Sequence, residues 1–447
     1  MSASNKPSLP QVAPCPWGEH ENLRTRVDAY WERMRDGHVV VGRVPGADAV
    51  ELWSNDYLSL AGHPAIVKAE TEALEGGGGD LYMSAVFLNE TSLQRALERQ
   101  MAAFVHAEAA VLCQSGWCAN AGLVPALADP TTPVYLDQFA TASLWEGARA
   151  SGAPVIAFRH NRPESLERLI KRYGPGLILV DVVYAVDGSV CPLAEIAALG
   201  EKYACVLVAD ESHTIGVYGP HGEGLVPSLG LTDKVHYRTF SLSKAFVTRA
   251  GMVVGPQRTM SYFPYESRPA IFSSAVLPYE LSALVATLKV IQEEDWRRQQ
   301  LWYNARYLCD GVQRLGYAVG ASNSHMIALD TGNERQTVAI RDALEAQGVF
   351  GAVLSAPAMA KDRGAIRLSV NAGASERELD RVVAAFKNIR DARTLDPWPS
   401  QLFAATAAVR GTGRQMDDQG PAVRILKELS GKMRAALADW HGSGGAR

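Results

Sequence analysis

The chain has 447 residues, of which 47% are hydrophobic and 21% charged. That length exceeds one ordinary core and implies two or three packed units. The formal net charge of −4 leaves no basic field to hold nucleic acid or an anionic membrane, and no uncharged apolar stretch is long enough to span a bilayer.

Residues 1–20 (MSASNKPSLPQVAPCPWGEH) are rich in Pro and polar residues, lack the apolar core of a secretory signal, and read as an arm. From Asn22 to Asp36, Leu23, Val27, Tyr30, Trp31 and Met34 recur at helical spacing. Between residues 51 and 280 short apolar runs alternate with helical stretches such as Ser92–Val105 and Pro163–Tyr173. AAVLCQ (109–114), PVYLD (133–137), PVIAFR (154–159), GLILVD (176–181), CVLVAD (205–210), VHYRTFS (235–241) and GMVVG (251–255) read as seven strands. Near-continuous apolar runs mark strands buried on both faces, so the expected fold is α/β with a largely parallel sheet covered by helices on each side. A long helical pattern over Leu281–Leu315 leads into a smaller α+β unit, with strands at His325–Leu329 and Ala365–Val370 and a helix from Glu376. The expected organisation is an arm and helix over 1–50, a large domain over 51–285, a small domain over 286–394 and a tail over 395–447. Within the tail, Val423–Leu437 suits an amphipathic helix and the final HGSGGAR reads as disordered.

Six cysteines, at 15, 113, 118, 191, 205 and 309, form no CxxC pair and no zinc spacing. They read as reduced thiols of a cytoplasmic protein. His106, His160, His221 and His236 show no metal spacing either, so no metal site is expected.

Open α/β sheets place their sites beyond the carboxyl ends of the strands, and three features cluster there. Gln114-Ser115-Gly116-Trp117-Cys118-Ala119-Asn120 is a strand-to-helix junction. Free N–H groups at a helix N-terminus bind phosphate, and Gly116 permits close backbone approach. Asp210 ends the fifth run, CVLVAD, with His213 three residues on. Lys244 follows in TFSLSKAF, 34 residues after Asp210. A lysine that forms a Schiff base must be partly desolvated so that its amine can be neutral, and a buried carboxylate can keep a cofactor pyridine protonated. Alone, each has a plainer reading: Lys244 as a surface lysine, Asp210 as a turn cap, the Gly76–Gly79 run as a flexible connection. The order phosphate turn, Asp-x-x-His, lysine matches the fold type I pyridoxal 5'-phosphate (PLP) enzymes.

The sequence resembles the α-oxoamine synthases, which join an acyl-CoA to an amine donor on PLP. SNDYLSLAGHP (54–64), CQSGWCANAGLV (113–124), VDGSVCPLAEI (186–196), VADESHTIGVYGPHGEGL (208–225), TFSLSKAF (239–246), AIFSSAVLP (270–278) and AIRLSVN (365–371) carry the likeness. SLWEGAR (143–149), GPGLILVD (174–181) and RPAIFSS (268–274) carry a narrower one to the quorum-sensing autoinducer synthases that make α-aminoketones.

The resemblance implies that Lys244 is the Schiff-base lysine, Asp210 the pyridinium partner and His213 the group near the phenolic oxygen. It implies a phosphate cradle at Ser115, Gly116 and Trp117 with Ser241 beside it, and a phosphate ligand, Ser274, from the second subunit of a homodimer. Asn55 and Arg367 would hold the donor's carboxylate. Two positions depart from the family pattern: Thr141 stands where members have a His stacked on the ring, and Ala185 where a serine is common. Without the resemblance, Asn55 reads as a turn residue and Arg367 equally as a surface ion pair or a carboxylate clamp. Trp117 and Trp145 read as packing residues and Cys118 as a small buried hydrophobe.

The implied activity is condensation of an acyl-CoA with S-adenosylmethionine or a small amino acid. The alternatives are a biosynthetic synthase using glycine, alanine or serine, an aminotransferase or lyase, and a non-catalytic partner subunit.

Overall fold

Strands whose every residue is apolar can be buried only if both faces of their sheet are covered. β2 (Ala109–Cys113), β3 (Val134–Asp137) and β5 (Leu177–Asp181) are buried at every position. β6 (Val206–Asp210), β7 (Tyr237–Ser241) and β8 (Gly251–Gly255) are buried at all but one or two. β4 (Val155–Phe158) is only partly covered, as suits an edge. The computed structural model describes residues 21–34, 38–77, 83–356, 358–359 and 363–392, within one compact unit. The expected 1–20 arm, part of the Gly76–Gly79 run and the 395–447 tail lie outside the described residues.

The seven strands form one sheet in the order β2-β8-β7-β6-β5-β3-β4. β6, β5, β3 and β4 run parallel to one another and to β7, whereas β8 is antiparallel to both β7 and β2. Alternate side chains divide between two cores. Leu177, Leu179 and Val208 face the helices Gly116–Leu127 and Ala142–Ala150, while Ile178, Val180, Leu207 and Ala209 face Pro163–Tyr173 and Leu193–Tyr203.

A second sheet has the order β1-β10-β11-β9, with β1 (Val50–Leu52), β9 (Met326–Gly332), β10 (Val349–Leu354) and β11 (Gly364–Ser369). The seven-strand reading holds element by element. β1 and β10 have no counterpart in the sequence reading: β1 is three residues long, and β10 carries Gly351 and stays half-exposed over four positions. β1 pairs parallel with β10, across nearly 300 residues of chain, so the segment at residue 51 contributes to the small sheet.

The expected long helix over Leu281–Leu315 is two helices, Pro278–Glu293 and Trp296–Arg314. The break lets Glu294 accept from Arg297 Nε at 2.6 Å and lets Arg297 Nη1 donate to the carbonyls of Leu58 and Ser59, both at 3.1 Å. Those bonds tie the helix junction to the SNDYLSL segment. Among the described residues no helix is long and apolar enough to cross a membrane.

Candidate active site

The cradle comes first in the chain. Ser115 caps the helix Gly116–Leu127, its hydroxyl accepting from Cys118 N at 3.1 Å. The Gly116 and Trp117 N–H groups have no acceptor among the described residues, as the first turn of a helix dictates. A Cβ on Gly116 would stand 2.6 Å from Ser241 Cβ, and one on Gly251 would stand 2.2 Å from the Ser115 carbonyl. Only glycines let β7, β8 and the cradle close on one another. Trp117 is 52% exposed, against the expectation of a packing residue, whereas Trp145 and Cys118 pack on the sheet face as expected.

One helical turn on, Asn120 points back at the strands. Its Nδ2 donates to Asp210 Oδ2 at 2.6 Å and lies 2.9 Å from Ser143 Oγ. Asp210 Oδ1 accepts from Ser212 N at 2.8 Å, and Ser212 Oγ accepts from Ser241 N at 2.7 Å. Asp210 is therefore a buried, hydrogen-bonded carboxylate at a strand end, with capacity left on both oxygens.

Lys244 sits in the β7–β8 connection and is partly buried. Its carbonyl accepts from Val247 N at 2.9 Å, and Val247 adopts φ 46°, a region that β-branched residues avoid. Burial lowers the Lys244 ammonium below the ordinary lysine range; Asp210 and Asp181 pull it back up, and Arg367 pushes it down. The site thus holds an amine poised to lose its proton, facing two carboxylates and a guanidinium.

That guanidinium is 6% exposed, so Arg367 is no surface ion pair. Nη1 donates to Ala185 O and Nη2 to Asn55 Oδ1, both at 3.0 Å, and Nε has no partner among the described residues. No described carboxylate pairs with it. A buried cation without a counterion is costly and waits for an anion.

His213 is buried and lies with Nδ1 2.7 Å from the Tyr57 hydroxyl. Burial, then Lys244, Arg367 and His325, hold its imidazole well below the ordinary range, so it is neutral. Thr141 N donates to both oxygens of Asp181 at 3.1 Å, bringing Thr141 beside Asp210's strand. Ser241 Oγ and Ser243 Oγ lie 2.9 Å apart. Ser274 is exposed, and its carbonyl accepts from Gln114 Nε2, next to the cradle.

Asn55, His213, Arg367, Asp210, Lys244, Thr141 and the cradle lie at one edge of the sheet, joined by Tyr57, Asn120 and Asp181, whereas a Ser274 from a second subunit, as the sequence implied, is not something one chain can display. Asp181 ends a buried strand as Asp210 does, and that shared signal could have found it. Asn120 and Tyr57 stand inside segments already singled out, CQSGWCANAGLV and SNDYLSLAGHP, but nothing in their spacing sets them apart.

The mostly parallel seven-stranded sheet with this cluster at its carboxyl edge is that of a fold type I PLP-dependent transferase. Residues 47–386 match the family described as Aminotransferase class I and II. The chain is 43% identical over 348 residues to a CAI-1 autoinducer synthase of Vibrio campbellii, covering 78% of this chain and 88% of that protein. It is 31% identical over 350 residues to an 8-amino-7-oxononanoate synthase of Symbiobacterium thermophilum, with coverages of 77% and 89%. Among solved structures, a serine palmitoyltransferase of S. paucimobilis superposes with a TM-score of 0.77 at 22% identity, over 84% of this chain and 99% of that one. An 8-amino-7-oxononanoate synthase of Francisella tularensis gives 0.69 at 19% identity, over 78% and 100%. At such identities these two likenesses carry the fold alone. The chain belongs to the class I and II aminotransferase family, in its α-oxoamine synthase branch, and its cofactor is PLP.

Proposed function

We propose that this protein condenses an acyl-CoA with S-adenosylmethionine or a small amino acid to give an α-aminoketone, the precursor of a diffusible signal. The carrying observation is the buried Arg367 without a counter-carboxylate, whose field reaches Lys244. An anion-seeking guanidinium facing the reactive amine suits a donor that bears both an amino and a carboxylate group. The 43% identity to an autoinducer synthase supports the signal reading.

The residues fit PLP. The free N–H groups of Gly116 and Trp117, with Ser115 and Ser241 alongside, suit its phosphate. Asp210, aligned by Asn120, suits a protonated ring nitrogen, and neutral His213 suits the phenolic oxygen. Thr141, whose N–H is held by Asp181, would not stack on a ring as an imidazole would. When bound at Lys244, PLP supplies an electron sink that turns the donor's α-carbon into a nucleophile toward a thioester.

The protein's own work is then fourfold. Lys244, its pKa depressed by burial, holds or removes a proton at the donor's α-carbon. Arg367 and Asn55 orient the donor by its carboxylate. Asp210 keeps positive charge on the ring nitrogen, and His213 holds a proton at the phenolic oxygen.

A second copy of the chain would complete the site by supplying Ser274. Phe272 and Phe87, 82% and 70% exposed, lie on adjoining segments beside it, where Ala275 N donates to Met83 O at 2.7 Å. Apolar exposure there favours a homodimer.

The test is a matrix of acyl-CoAs against amine donors, scored by thiol release and product mass. Thiol release with S-adenosylmethionine or 2-aminobutyrate, with an α-aminoketone mass, is expected. Activity confined to glycine, alanine or serine would move the protein to the biosynthetic branch. Silence in PLP-loaded protein would overturn the reading in favour of a partner subunit.

A further inference from the structure

Tyr57 stands between the two halves of the site. It is fully buried. Its hydroxyl oxygen lies 2.7 Å from His213 Nδ1, 3.1 Å from Asn55 Oδ1 and 3.5 Å from Met326 Sδ. Arg367 Nη2 donates to that same Asn55 Oδ1 at 3.0 Å. The Tyr57 hydroxyl therefore stands within reach of both His213 and the Asn55 oxygen that Arg367 holds. His325 packs its ring edgewise on Tyr57, with centroids 4.2 Å apart, and fixes where the phenol can point.

A phenol has one proton to give. Burial raises the Tyr57 hydroxyl above its ordinary range, so it stays protonated, and neutral His213 carries one N–H and one lone pair. Two arrangements are open. In the first, Tyr57 donates to His213 Nδ1 and the imidazole proton sits on Nε2, free to be given to an oxygen in the site. Asn55 Oδ1 then accepts from Arg367 alone. In the second, His213 Nδ1–H donates to the phenol and the phenol donates to Asn55, leaving Nε2 a bare acceptor. The 2.7 Å contact is the tighter of the two and favours the first.

The geometry points to Tyr57 as the positioning residue that fixes the Nε2–H tautomer of His213. This rests on the reading in which His213 faces the phenolic oxygen of PLP and the clamp faces the donor. Tyr57 acts through the proton it places on His213.

The test uses full-length protein with 15N-labelled histidine, with and without PLP. Tyr57→Phe keeps the ring packing and removes the hydroxyl. The expected result is loss of a single Nε2–H tautomer at His213, identified by its absence in His213→Gln, and a shifted absorption band of bound PLP. Unchanged imidazole shifts and an unchanged band in Tyr57→Phe would overturn the proposal. Asn55→Ala provides a second arm that does not depend on the Phe variant folding. It leaves the phenol a single strong acceptor, so the Nε2–H tautomer should sharpen, and its loss there would overturn the proposal as well. Borohydride trapping at Lys244 separates the two levels. Wild-type protein with no pyridoxyl-lysine refutes the functional reading, whereas normal trapping with an unaltered His213 in Tyr57→Phe refutes Tyr57's role alone.

Discussion

Asp181 and Asp210 pair in register at the last positions of two adjacent parallel strands, β5 and β6, and no described cation is hydrogen-bonded to either. Two carboxylates this close and this buried do not both ionise readily. Burial, with Asp210 next, raises the Asp181 carboxyl well above its ordinary range. Asp210 is hydrogen-bonded by Asn120 and Ser212. Its field raises the Lys244 ammonium, and Arg367 lowers it. The neutral amine is the form that attacks PLP. The pH midpoint for PLP capture by the apoprotein should therefore fall in Asp210→Asn and rise in Arg367→Gln. Asp181→Asn should also lower it, by less than Asp210→Asn, because its field on Lys244 is the weaker of the two. Rates of borohydride-trapped adduct formation across pH measure all three, and one midpoint shared by every variant would refute the electrostatic account.

Gly116 is fixed by space and not by backbone angle. A Cβ there would meet Ser241 Cβ at 2.6 Å and Cα at 2.9 Å, part of it backbone that cannot step aside. Gly116→Ala should cost about 1–3 kcal/mol of stability and weaken PLP binding by widening the cradle. Thermal melts and PLP titration of the apoprotein read the two effects separately. Wild-type PLP affinity in this variant would remove the junction from the phosphate site.

Arg367 is a case where Lys is not a conservative exchange. The guanidinium serves Ala185 O and Asn55 Oδ1 together at 3.0 Å and keeps further N–H capacity. An ammonium cannot span that fork. Arg367→Lys should raise the donor's KM by about ten- to a hundredfold, the worth of a hydrogen bond to a charged group. The acyl-CoA KM should hold. Equal losses for both substrates would mean that Arg367 supports the fold and not the donor.

The seven buried strands were legible because each is a short apolar run, and a run of that kind has few ways to be buried. Asp210, His213 and Lys244 were legible because their order along the chain matters more than their geometry. β1 and β10 were not legible: three residues and a glycine-bearing run leave no period to read, and what makes them strands is pairing across distant sequence. Tyr57 shows the same limit at the level of the site. Its segment stood out in the sequence, but the 2.7 Å contact to His213 joins residues 156 apart, and only folding makes it. The long helix read over Leu281–Leu315 fails for a related reason, since the junction at Glu294 and Asp295 is held by bonds from Arg297 to the distant Leu58 and Ser59 carbonyls.

His160 had no assigned role in the sequence, yet it closes the carboxyl edge of β3 and β4. Nδ1 lies 2.8 Å from Asp137 Oδ1 and Nε2 3.2 Å from Asp187 Oδ2, and Phe139 stacks on the ring at 4.3 Å. Burial opposes the charged ring, but the hydrogen bonds and charges of Asp137 and Asp187 outweigh it and raise the imidazolium to about 9. A group whose pKa is higher in the folded state stabilises fully below its unfolded value, ~6.5, and loses that contribution as pH rises through the folded one. Stability from this pair should accordingly drain away between pH ~6.5 and about 9. Asp187 sits on the loop that receives Ser322 and Ser324 from the segment before β9, through bonds of 2.6 and 2.7 Å to the Asp187 and Gly188 carbonyls. Loss of the imidazolium therefore loosens the seat of that segment. Thermal midpoints of the wild type should decline across this range, and His160→Gln should lower the midpoint at neutral pH and flatten the decline. A slope preserved in His160→Gln would assign the alkaline loss to other groups.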